Sequence, residues 1–211
     1  MTEHASIAWP DVPRLAFDAG EADDLNASLA WVQSRTNDMY GYVEGYRRAA
    51  IALFEYAETS RASPEQMLFP IAFAWRHYTE LALKDIIAAG RQLAGLEWGY
   101  PSGHKLLQLW KEARPHLEQL GDPKAPELAN VESNVCEFER IDQFADGFRY
   151  PLNRARTQPS LHSPPPTVSL RRLHEAMDAV ATFLLCARSE QSARLDYVNE
   201  MEANEGCYDR G

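Results

Sequence analysis

The chain has 211 residues, 45% hydrophobic and 25% charged, with 13 prolines and 11 glycines. That mixture suits one globular core and excludes a collagen-like, disulfide-stapled or wholly disordered chain. The formal charge of −10 argues against a nonspecific nucleic-acid binder, because phosphate contacts need clustered Lys and Arg, and no apolar run is long enough to span a bilayer.

Residues 1–37 read as an irregular acidic lead, with a short helix expected at 21–33; residues 1–30 carry six acids against Arg14 alone. The start, MTEHASIAWPDVPR, lacks the basic, apolar and cleavage regions of a secretory signal, so a cytoplasmic location is expected. Residues 38–190 read as a helical bundle. Met39, Tyr42, Tyr46, Ala50, Leu53 and Ala57 recur at helical spacing and define a first helix. Ser63-Pro64-Glu65-Gln66 offers a capping box and a proline at the first helical position, which predicts a second helix. Residues 67–75 are uninterruptedly apolar, so that helix should be surrounded by others, with Pro70 kinking or restarting it. Ser102 is the expected cap of a third helix with Leu106, Leu107, Trp110, Ala113 and Leu117 on one side, bent or shortened by Pro115.

A fourth helix is expected over 126–145. Its apolar stripe of Leu128, Val131, Val135 and Phe138 continues into Asp142, a carboxylate at a core-facing position. Residues 151–166 hold too many prolines for a helix and predict a long loop. Thr167 should open the last helix, with Leu170, Leu173, Met177, Val180, Leu184 and Ala187 on one seam, continuing toward Glu202. Residues 191–211 form its acidic end and tail. Cys136, Cys186 and Cys207 show no CxxC spacing and read as reduced thiols, two of them packed in helices. No alternating strand pattern occurs. The predicted fold is all-α, an antiparallel bundle of four to five helices with a long Pro-rich loop before the last helix.

Two stretches carry candidate chemistry. Arg76, Glu80 and Lys84 are four residues apart on one face of the most apolar helix, with His77 beside them. Charges there must pair in an interior network or line a polar cavity, unless the ladder faces solvent. Asp142 either orients Arg76, His77 or Arg149, or faces water if the helix drifts. From Gly147 to His174 the sequence has five arginines, among them Arg149, Arg154 and Arg156, and two histidines, without a single Asp or Glu. Such a segment either attracts anions despite the acidic whole, or is a chance run or pairs with the acidic ends of the chain; Arg149 and Tyr150 stand at its start.

The tyrosine-rich first helix, LFPIAFAWRHYTELALK, GHKLLQLW and DQFADGFRYP together resemble bacterial proteins of the HEPN (higher eukaryotes and prokaryotes nucleotide-binding) superfamily, over residues 38–190. The resemblance implies a helical bundle that forms a homodimer. It implies either a metal-independent endoribonuclease of toxin or antiphage-defence type, acting on RNA and held by an antitoxin or other protein partner, or a non-catalytic helical module binding a protein partner or a nucleotide. The catalytic signature of the superfamily is an Arg followed four to six residues later by His. Arg156 and His162 fit that spacing, although Pro159 interrupts them; Arg76 and His77 form the other candidate catalytic pair. The chemistry is attack of a ribose 2′-hydroxyl on the adjacent phosphate, with His as acid or base and Arg stabilising the added charge. Glu80, Lys84, His104, Asp142, Arg149 and Tyr150 are candidate binding residues around these pairs. No cofactor and no metal are expected: motifs for P-loop, dinucleotide, zincin and α/β-hydrolase chemistry are missing, and His174 with Asp178 does not make the Glu-x-x-His pattern of a di-iron bundle.

Overall fold

A computed structural model describes residues 39–208 together with Ala27. The chain divides between Asp38 and Met39. Five helices follow that boundary among the described residues: α1 (Tyr40–Thr59), α2 (Pro64–Leu93), α3 (Leu106–Glu118), α4 (Pro126–Ile141) and α5 (Leu170–Tyr208). The all-α bundle is therefore what the sequence forms, with a single isolated β-bridge between Leu152 and Pro159 among the described residues. Apart from Ala27, the helix expected at 21–33 lies outside the described residues, as does the rest of the acidic lead.

Helix α2 is buried around most of the circumference of its middle turns because it packs against α1, α3 and α5 at once. Its Trp75, Tyr78, Leu83, Ile86 and Ile87 are fully buried, and they meet Trp110 and Leu106 of α3 and Met177 and Leu184 of α5. Burying each such aliphatic or aromatic side chain stabilises the fold by about 1.5–3 kcal/mol. The Tyr78 hydroxyl donates to the Ala181 carbonyl at 3.2 Å, which satisfies the one polar atom that the ring carries inside. Helix α4 closes the bundle against α3 and α5. Among the described residues no helix is long and apolar enough to cross a membrane.

Several boundaries differ from the sequence reading. Pro70 and Pro115 both lie within continuous helices, near an end of each, where tertiary packing holds the helix despite one missing donor. Ser63 is the N-cap of α2, but its hydroxyl donates to the Glu65 carboxylate and does not close a capping box with Gln66. Helix α3 begins at Leu106 with Lys105 as N-cap, not at Ser102, since Gly103 adopts a left-handed φ of 92° between the two. Helix α5 begins at Leu170, after the prolines, and the Ser169 hydroxyl accepts the Arg172 N–H at 3.3 Å. Cys136 and Cys186 do lie on helices, yet both are exposed and not packed. Helix α4 stops at Ile141 instead of reaching residue 145.

Candidate functional site

That early stop builds the site. Asp142 leaves the helix at φ −128° and ψ 67°, and its Oδ1 accepts the backbone N–H groups of Asp146 at 3.0 Å and Gly147 at 2.8 Å. A short polar side chain competing for local backbone donors is a recognised way to end a helix and start a turn. The turn passes through Ala145 at a φ of 62°, and the Asp146 carbonyl then accepts from Arg149 at 3.0 Å and Tyr150 at 2.9 Å. Gly147 packs so closely on Leu161 that a Cβ would collide with it. Asp142 is thus no longer on the helical stripe; it is the hub of the turn that delivers Arg149 and Tyr150.

The other Asp142 oxygen, Oδ2, lies 3.2 Å from Arg76 Nε, off the N–H direction but in close charge contact. Arg76 is 3% exposed. Its remaining nitrogens reach the His104 carbonyl at 3.0 Å, the Asp142 carbonyl at 3.4 Å and Glu80 Oε2 at 3.6 Å. Glu80 Oε1 accepts from Lys84 Nζ at 2.9 Å and lies 2.8 Å from His104 Nδ1. The Arg76–Glu80–Lys84 face is accordingly interior, not a solvated ladder, and three elements contribute to one neutralising network. Burial pushes the Arg76 pKa down, opposed by the charges of Asp142 and Glu80. Burial also works against the Glu80 charge, but hydrogen bonds from Lys84 and His104 outweigh it and hold its pKa below the ordinary carboxylate range. Only His104 carries the network to the surface.

The structure separates the two candidate catalytic pairs. His77 follows Arg76 by about 100° around the helix and lies against Tyr46, with centroids 4.3 Å apart, and Phe73, stacked at 5.7 Å. Burial lowers its pKa. Arg156 and His162 are both exposed, and no contact joins them: His162 meets the edge of Phe144, its own N–H bonded to the Ile141 carbonyl at 2.8 Å. Arg149 and Asp142, offered as partners by the sequence, do not pair; the Arg149 guanidinium donates to the Ala145 carbonyl at 2.8 Å and lies over the rings of Phe73 and Tyr150, 5.7 and 5.6 Å from their centroids. Among the described residues no group of three metal-ligating side chains forms.

What converges instead is a groove of about 700 Å³ along the loop, lined by Asp146, Arg149, Tyr150, Leu152, Asn153, Arg154 and Arg156 with Pro151. Asn153 organises its floor. The Asn153 side-chain oxygen accepts the Thr157 N–H at 3.0 Å, its backbone N–H donates to Gln158, and its carbonyl accepts from Arg156 at 2.8 Å. Arg156 takes a left-handed φ of 56° in consequence, which turns its side chain into the groove lining. Asp146 is the groove's only carboxylate; it is buried, and Arg154 Nε lies 3.8 Å from it. Neither Arg149 nor Arg156 has a carboxylate partner among the described residues. Asp146, Asn153 and Ser160, which is buried with an unpartnered hydroxyl, were not among the residues singled out from sequence. The Asp-x-x-x-Asp-Gly spacing of residues 142–147 is the signal that marks the first of them.

No protein-family model, curated protein or solved structure matches the chain.

Proposed function

We propose that the chain is a HEPN-like, non-catalytic binding module whose groove takes a phosphate-bearing ligand, a nucleotide or single-stranded RNA. The observation that carries this reading is the groove itself: three arginines and an exposed tyrosine, with two of the guanidinium groups free of any carboxylate among the described residues. Arginine forks bind phosphate oxygens bidentately, and the Tyr150 ring, 58% exposed and with Arg149 over it, gives an aromatic and a guanidinium surface on which a base can stack. The site is held from below, because Asp142 fixes the turn on the buried Arg76. No histidine lines the groove, which supports binding over cleavage; a metal-independent endoribonuclease activity would displace this assignment.

Fluorescence anisotropy with a labelled oligoribonucleotide, competed by ATP, tests this in EDTA. Three arginine contacts predict an affinity that falls with salt at a logarithmic slope of about −2, and Arg156→Ala should make that slope shallower by about 0.7. Binding that is absent, or unchanged in Arg149→Ala/Arg156→Ala, overturns the assignment. Cleavage of the RNA in EDTA, lost in His162→Ala or His77→Ala, would establish the ribonuclease instead.

A further inference from the structure

Helix α5 outruns the bundle. Its last buried side chain among the described residues is Gln191, and Arg194 still reaches the Gln119 and Leu120 carbonyls just past α3, at 3.0 and 3.3 Å. Every described side chain from Asp196 to Asn204 is exposed, yet the helix continues to Tyr208. Three of these exposed residues, Tyr197, Val198 and Met201, are large and apolar. At 100° per residue they fall within one arc of about 100°. Their stripe runs into a second cleft, of about 480 Å³, where the C-terminal ends of α2 and α3 meet α5; Tyr197 and Val198 line it together with the half-buried Leu93 and Leu120. An apolar helical stripe continuous with a cleft is a shape that takes another amphipathic helix, one of whose apolar side chains fills the hole.

Charge selects the occupant. Glu200 and Glu202 stand just outside the two edges of the arc, and residues 195–204 hold these two and Asp196 with no Lys or Arg. Arg194 lies within the arc but is neutralised by Glu190 at 2.7 Å. The overhang of a second copy, laid on this one, would bring like charges together, which is unfavourable. Residues 1–30, with six acids against one arginine, carry the wrong sign as well, and so do RNA and an anionic lipid surface. A helix with Lys or Arg beside its apolar stripe carries the right one.

We propose that the α5 overhang and its cleft dock a basic amphipathic helix of a partner protein. That helix lays its Leu-, Ile- or Phe-type side chains on Tyr197, Val198 and Met201, one of them entering the cleft, and sets its Lys or Arg against Glu200 and Glu202. Isothermal titration calorimetry of the full chain at about 0.15 M salt tests this with three synthetic peptides. The first is a leucine–lysine peptide with its leucines on one helical face; the second has glutamate for every lysine; the third has the composition of the first with the leucines spread around the helix. The first should bind saturably at one site per chain, and the other two at least about tenfold more weakly. Tyr197→Ser/Met201→Ser should weaken the first peptide by about tenfold, as should Glu200→Lys/Glu202→Lys. These side chains are exposed, so both double variants leave the core intact. Absent binding, equal binding of the third peptide, or unchanged affinity in either double variant overturns the proposal, the last two by showing only a general attraction of cations to an acidic chain. A dimer seen by sedimentation and abolished by Tyr197→Ser/Met201→Ser overturns it too, because a second copy then holds the face.

Discussion

The Asp142 carboxylate serves two structures through its two oxygens, and substitutions can separate them. Asp142→Ala leaves the Arg76 guanidinium buried beside Glu80 alone and removes the acceptor from two buried N–H groups; losing one partner of a buried pair is destabilising by about 3–5 kcal/mol. Asp142→Asn keeps an oxygen for Asp146 and Gly147 and should cost clearly less. Urea unfolding of the two variants checks both the magnitude and the order. His77 supplies a pH signature. Its pKa is lowered by burial, so the unfolded chain binds its proton first, and stability falls as pH drops below about 6.5. His77→Phe, which suits the contacts with Tyr46 and Phe73, should make the stability profile shallower below about pH 6.5, leaving the share contributed by His116, whose pKa burial also lowers. Glu80 acts further down: its lowered pKa gives stability that is fully present above the ordinary carboxylate range and lost as pH falls through the folded value, and Glu80→Gln should remove that acid limb.

Among the elements, the segment from Asp142 to Ser163 shows where the sequence was informative and where it was silent. The four-residue spacing of Arg76, Glu80 and Lys84 placed them on one face, because helical neighbours are local. Their partners are not local: His104 and Asp142 lie 28 and 66 residues from Arg76. Only packing decides that the ladder is interior. The prolines announced a loop correctly, whereas the end of α4 was misplaced because the apolar periodicity continued past the point at which Asp142 diverts the backbone. The arginines were visible as a run without acids, but their convergence depends on the Asn153 turn and on the left-handed Arg156. Gly147→Ala tests how tightly this segment is seated. A methyl group there must displace Leu161, at a cost of about 1–3 kcal/mol, and hydrogen exchange should quicken at the Ser160 and His162 amides, which close the loop.

For the molecule as a whole, stability is concentrated toward one end of α5. At 39 residues that helix is about 58 Å long, and among the described residues Met177, Val180, Ala181, Leu184 and Gln191 are its buried positions. Tyr197, Val198 and Met201, beyond them, are exposed. Met201→Gln should therefore change the unfolding free energy by no more than about 0.5 kcal/mol, while truncation ahead of Gln191 should be strongly destabilising; calorimetry of the two variants distinguishes them. The charge is also unevenly placed. Residues 190–211 carry six acids against two arginines, so the groove is a local exception in an acidic protein, and its ligand affinity should depend on salt more steeply than the net charge implies.

The His162 N–H bonded to the Ile141 carbonyl means that the chain departs from α4 and comes back to nearly the same point. A loop whose ends already meet is inexpensive to lengthen: doubling its length adds only about 0.6 kcal/mol of closure entropy. Insertions between Arg154 and Pro159 are accordingly open to evolutionary drift, whereas those between Asp142 and Gly147 would tear the groove from the core. A lineage carrying this fold is free to change what the groove grips by altering its tip alone, with the bundle inherited intact.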